Sequence, residues 1–327
     1  MSFRGKKVLI TGGAGFIGSN LAHRMVREGA DVMLLDSMIE GYGANLHNLD
    51  GIRNRVHINF SDMRDEHTLK YIVKDKDYIF HMAGQVSHQD SMNDPFMDLA
   101  VNARGTLALL EACRVNAPRT VLVYASTRQI YGKPEYLPVD EKHPLQPPDV
   151  NGINKLAAEQ YMRLYNHVYG IPTVSLRLTN TYGPRQLISN ARQGVIGWFV
   201  NRALLGETIQ LYGGGGQLRD FNYVDDVVEA MCLAAENKDA CGGGTYNLSG
   251  ERASLKTVAE TLISITGKGR VEVIPFPDER KKIDIGDFYG DSSLFEGITG
   301  WQAKTTLKQG LKVMIDYYRD NMDAYIC

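Results

Sequence analysis

The stretch that most limits what this chain can become is Thr11-Gly12-Gly13-Ala14-Gly15-Phe16-Ile17-Gly18. It follows the short apolar run Val8-Leu9-Ile10, which reads as a buried strand entering a tight turn. Beyond it Ile17, Leu21 and Met25 recur at a spacing of four, the mark of a helix with one buried stripe. Residues 32–35 form a second apolar run, and it ends in Asp36. A glycine turn alone carries little information. Set between a strand and a helix, with an acid closing the next strand, it predicts a dinucleotide site. Gly12 permits the turn, Gly15 lets backbone approach a pyrophosphate, and Gly18 allows close helix–sheet packing. N–H groups at the helix start attract the phosphate charge. Asp36 can accept hydrogen bonds from an adenosine ribose and would repel a 2′-phosphate, so NAD is expected rather than NADP.

The same alternation continues. Apolar runs at residues 56–60, 78–80, 120–124 and 173–176 read as strands, and helical patterns occupy residues 96–113 and 154–168. Repeated strand–helix units predict an α/β fold, a doubly wound parallel sheet of the Rossmann type. Asp62-Met63 and Ala83-Gly84-Gln85 fall at later strand ends, where ligands of such sheets bind. Regularity weakens after Pro184, with loops at residues 213–216 and around Pro275 and Pro277. Leu307, Leu311, Met314, Ile315 and Tyr318 then make one apolar helical face. The expected division is a cofactor domain over residues 1–183, rejoined by 223–248. A smaller α/β substrate lobe then takes 184–222 and 249–327.

Bulk properties narrow the function. The 327 residues carry 36 basic and 38 acidic side chains, a formal net charge of −2, which argues against nucleic acid as a partner. Cys113, Cys232, Cys241 and Cys327 are scattered, with no CxxC pair and no short His/Cys cluster for a metal. Such cysteines fit a reducing cytoplasm, the expected location. Arg4, Lys6 and Lys7 before Val8 mimic a signal peptide, but the glycine turn cuts the apolar run short. No stretch is long and apolar enough to span a bilayer, so no membrane association is expected.

Taken together, the chain resembles the NAD-dependent epimerase/dehydratase family, the extended branch of the short-chain dehydrogenases/reductases, over nearly its whole length. The glycine motif, Asp62-Met63, His81-Met82-Ala83-Gly84, Asn102-Ala103-Arg104-Gly105-Thr106 and Tyr131-Gly132 carry the resemblance. So do Arg177 with Asn180, Tyr182-Gly183-Pro184 and Arg219-Asp220-Phe221-Asn222-Tyr223-Val224-Asp225-Asp226. The resemblance implies that Gly12, Gly15, Phe16, Ile17, Gly18, Asp36, Ser37, Asp62, Met63, Ala83, Gly84, Asn102, Lys155 and Thr179 line the NAD site. It places Thr127 at the reacting oxygen and turns Asn180, Arg219 and Arg280 toward the diphosphate of a nucleotide-activated sugar. A homodimer formed through the helices near 96–113 and 154–168 is implied as well.

The catalytic group departs from the family pattern of Ser or Thr followed by YxxxK. Thr127 fits the first position and Lys155 the last, but the Tyr position holds Asn151. The i, i+4 spacing still sets Asn151 and Lys155 on one helical face. An amide has no titratable proton near neutral pH. Three explanations stand open. Another group takes the proton, with His88 preferred over Tyr131 or Lys155; or turnover is lost and the protein only binds its ligands; or the Asn is an engineered replacement. The residues after Thr127 are Arg128-Gln129, where the family's dehydratases and decarboxylases carry acids. The resemblance therefore favours epimerisation through a keto-sugar, at C4 or at C2, since Gly84-Gln85-Val86 and the segment 182–199 also look like CDP-tyvelose 2-epimerases.

Overall fold

A computed structural model describes residues 3–191, 194–277 and 284–326. Seven strands form one parallel sheet in the order β10-β6-β5-β4-β1-β2-β3. They are β1 (Lys7–Thr11), β2 (Asp31–Leu35), β3 (Val56–Asn59), β4 (Tyr78–His81), β5 (Val121–Thr127), β6 (Thr173–Leu178) and β10 (Thr245–Asn247). Alternation along each strand supplies both faces of the sheet. Val8, Ile10, Leu34 and Phe80 pack on one side with Leu21 and Met25 of α1 (Phe16–Glu28). Leu9, Leu35, Ile79 and Leu122 pack on the other with Leu69, Leu109 and Met162. This is the expected doubly wound α/β sheet.

Two helices differ from the sequence expectation. The pattern over 96–113 is broken into α4 (Pro95–Asp98), a π-helical turn (Leu99–Arg104) and α5 (Gly105–Asn116). Apolar periodicity does not separate these, because the extra residue of a π turn shifts the face by only part of a turn. Between β4 and α4 lies α3 (His88–Asn93). The pattern over 154–168 belongs to α6 (Val150–Tyr169), which starts earlier because Asp149 caps it, accepting from Gly152 N at 2.7 Å.

The chain after β6 builds two smaller sheets. In one, β9 (Leu218–Tyr223) lies between β7 (Asn180–Tyr182) and β11 (Glu251–Ser254). In the other, β8 (Thr208–Tyr212) pairs in parallel with β12 (Arg270–Ile274). Leu307, Leu311, Met314, Ile315 and Tyr318 of the last helix (Leu307–Asn321) pack on Phe199, Leu211 and Phe221. Residues 224–236 form a helix against β5 and β6, and β10 then pairs with β6 on the main sheet. Among the described residues no helix is long and apolar enough to cross a membrane.

Candidate active site

The strand order reverses between β1 and β4, and ligands of open α/β sheets bind where such a reversal opens a crevice at the carboxyl ends. A cleft of about 610 Å³ occupies that place. Its floor depends on glycine. Gly12 has φ +67°, and a Cβ there would sit 2.8 Å from the Ala83 nitrogen. A Cβ on Gly18 would overlap the Gly12 carbonyl oxygen. Gly15 caps α1 without any side chain, which leaves first-turn N–H groups for a ligand.

The residues expected at the cofactor come together here. Gly12, Gly15, Phe16, Ile17, Gly18, Asp36, Ser37, Asp62, Met63, Ala83, Gly84, Lys155 and Thr179 all line the cleft. Asn102 lies just behind it on the π turn, donating to the Gln85 carbonyl at 3.0 Å. Its Oδ1 is buried with no partner. A Cβ on Gly84 would lie 2.8 Å from that oxygen and 2.9 Å from Lys155 Nζ. Gly84 thus keeps open a gap flanked by an acceptor and a donor, the pair that a ribose hydroxyl requires. The residues present fit NAD.

Asp36 closes β2 with Oδ2 accepting from Ala14 N and Oδ1 from Met38 N, both at 3.0 Å. Burial raises its pKa despite these bonds. Asp36→Ala should therefore weaken NAD binding and narrow the preference over NADP by roughly tenfold. Titration of both cofactors checks this; comparable wild-type affinities would contradict it.

At the reacting end, β5 delivers Thr127, whose hydroxyl accepts from Gln129 N at 3.2 Å. The first turn of α6 delivers Asn151, and the next delivers Lys155. Asn151 is buried, and its Nδ2 donates to the Gln85 carbonyl at 2.7 Å and to Asp98 Oδ2 at 3.0 Å. Both amide hydrogens are thereby committed, so the side chain has only an acceptor left for a ligand. Asp98 is fully buried and also receives Asn154 Nδ2 at 2.8 Å. Lys155 Nζ donates to the Ala125 carbonyl at 3.1 Å and sits 4.9 Å from the Tyr124 ring centre. Burial pulls its pKa down to about 8, while Asp98 and Glu159 act against the fall.

His88 opens α3 and lines the same cleft. Its Nδ1 stands 3.0 Å from Asp149 Oδ2, off the line of a full hydrogen bond. Resting geometry of catalytic pairs is often loose in this way. Burial alone would raise the Asp149 pKa. The His88 contact, with donations from Gly152 N and Gln129 Nε2, brings it below the usual value. Tyr131, the other candidate base, is elsewhere: its buried hydroxyl bonds Asn247 and Arg177, and burial pushes its pKa up to about 12.

The far wall holds Asn180, Arg219 and Arg128. Asn180 Nδ2 donates to the Asp220 carbonyl at 3.0 Å. Arg219 Nη1 donates to the Leu218 and Gly286 carbonyls, and Nη2 stands 3.5 Å from Asp284. Arg280 lies outside the described residues. Sequence reasoning missed Asp98, Arg128 and Asp149 as parts of the site. For Asp149 a signal existed, an Asp directly before a helical run. For Asp98 the only hint was a pair of Asn residues three apart on one helix.

Comparison with known proteins points to the same cofactor. The description "NAD dependent epimerase/dehydratase family" matches residues 8–249. A Methanocaldococcus jannaschii protein described as a putative UDP-glucose 4-epimerase is 32% identical over 316 residues, 96% of this chain and 99% of its own. The CDP-paratose 2-epimerase of Salmonella typhi is 29% identical over 339 residues, 95% of this chain and 98% of its own. The solved complex of the Thermus thermophilus UDP-glucose 4-epimerase with NAD superimposes with a TM-score of 0.84 at 32% identity, covering 96% of this chain and 99% of that one.

Proposed function

The chain belongs to the NAD-dependent epimerase/dehydratase family, and from that premise we propose that it is a nucleotide-sugar epimerase working through a keto-sugar, at C4 or C2, with Asn151 in the place of the usual tyrosine. The observation that carries the choice of epimerisation is the chemistry of the cleft wall. Among the described residues the only carboxylates lining it are Asp36 and Asp62, which follow β2 and β3, away from Thr127. Elimination of water from a sugar calls for an acid near the reacting carbon, and Arg128 and Gln129 supply none. Bound NAD supplies reversible hydride transfer.

The chain's own residues do the rest. Thr127 hydrogen-bonds the reacting hydroxyl, and Lys155 orients ribose hydroxyls while its charge favours alkoxide character on the sugar. His88 takes the hydroxyl proton and returns it, with Asp149 holding the ring and supporting its charged form. Asn151 positions the site as an acceptor. Arg219, Asn180 and Arg280 hold the diphosphate. Residues 1–183 with 223–248 bind the cofactor, and 184–222 with 249–327 bind the sugar nucleotide. The active form is a cytoplasmic homodimer paired through α5 and α6, where Val115, Leu164 and Val168 are exposed.

The test is incubation of NAD-loaded protein with UDP-, TDP-, CDP- and GDP-hexoses, followed by NMR. Reversible formation of one epimer is expected, and dehydrated product or no conversion overturns the reading. Asn151→Tyr should not raise turnover. It strips the donor from buried Asp98 Oδ2, at a cost of roughly 1–3 kcal/mol, while the Gln85 carbonyl keeps its bond from Asn102, so its Tm should fall. A silent wild type with an active Asn151→Tyr variant would mean a disabled site.

A further inference from the structure

Arg128 is a half-buried cation on the cleft wall that has no counter-ion among the described residues. Its Nη1 is shut off from solvent and has no hydrogen-bond partner, and the guanidinium makes no ion pair among the described residues. Its guanidinium carbon lies over Phe288, 4.9 Å from the ring centre, and the residue lines the cleft one position after Thr127. Its surroundings are mixed. Burial, then the like charge of Arg219, pull its pKa down to about 10, and Asp220, Asp284 and Asp149 oppose them from a distance. A buried charge lacking a partner is costly, and an apolar side chain of similar size would serve packing better. The other arginine on this wall has less to give, because Arg219 Nη1 is already shared by the Leu218 and Gly286 carbonyls.

We propose that Arg128 is an anion-docking residue of the substrate site, completed by an anionic oxygen of the incoming ligand: a phosphoryl oxygen of the diphosphate or a carboxylate carried on the sugar. This rests on the nucleotide-sugar reading of the cleft. An arginine fork suits either oxygen pair, and withdrawal of water on binding strengthens the contact.

The variants are Arg128→Met, an unbranched side chain of similar length without the charge, and Arg128→Lys, which restores the charge. The probes are UDP, UDP-glucose, UDP-glucuronate and inorganic pyrophosphate, titrated calorimetrically into NAD-loaded protein. Arg128→Met should weaken binding about tenfold or more, with partial recovery in Arg128→Lys. A loss shared by all four probes assigns the phosphoryl oxygen, and a loss confined to UDP-glucuronate assigns the carboxylate. Without ligand, Arg128→Met should melt at or above the wild type, since it removes an unpaired charge. Binding of every probe within about twofold of wild type overturns the proposal. So does a marked fall in Tm, which would make Arg128 a structural cation. If wild type takes pyrophosphate through Arg128 but no uridine nucleotide, the uridine form of the substrate reading fails and the anion site stands. A wild type that binds none of the four overturns both.

Discussion

Lys155→Ala is expected to lower kcat by roughly 10²-fold or more, with a smaller effect on nucleotide-sugar binding. The side chain is almost wholly buried, and one donor is fixed on the Ala125 carbonyl. The ammonium borders the gap that Gly84 leaves in the cleft, where a Cβ would lie 2.9 Å from Nζ. Removing it takes away both an orienting donor and the positive charge beside Gly84 at the base of the cleft. Its pH dependence makes the role visible. Lysine is charged below its pKa, and burial brings that value to about 8 in the free protein. The charged fraction therefore falls as pH rises through 8, and kcat/KM should fall with it. In Lys155→Ala that alkaline limb should vanish. A variant that keeps turnover within about threefold of wild type, or keeps the limb, removes Lys155 from the mechanism.

The parts of this protein that were legible in the sequence are those with local signals. The glycine turn, the alternating apolar runs and the closing Asp36 each follow from backbone sterics and periodicity within a few residues. The last helix was equally plain, since its five apolar positions are all buried on one face. What could not be read is long-range pairing of polar groups. Asn151 looked like a gap in the catalytic pattern because its partners, Gln85 and Asp98, are 66 and 53 residues away. Seen in place, it is one member of a buried network that also holds Asn102 and Asn154. Arg128 was legible only as a missing acid; that its guanidinium lies over an aromatic ring depends on Phe288, from the far end of the chain. His81, within a family motif, is likewise a packing residue, held between the Thr11 and Thr106 hydroxyls with its pKa driven down to about 3 by burial.

His88→Ala is expected to cost about 10²-fold in kcat, within the range usual for loss of a general acid–base group. The motive is its pairing with Asp149, a contact between two segments 61 positions apart that places an imidazole on the cleft and a carboxylate behind it. An orienting carboxylate of this kind fixes the ring and supports its positive charge once it has taken a proton. Asp149 has a second duty as the cap of α6, so a simple deletion would confuse the two. Asn caps a helix about as well as Asp. Asp149→Asn therefore keeps the start of α6 while it removes the charge and the acceptor facing Gln129 Nε2, and kcat should fall about tenfold with KM little changed. Added imidazole should restore part of the activity of His88→Ala by entering the vacated space, and should do nothing for Asp149→Asn. If His88→Ala turns over within about threefold of wild type, proton transfer runs through water on Thr127 and Lys155 alone, and the pair with Asp149 merely fastens α3 to α6.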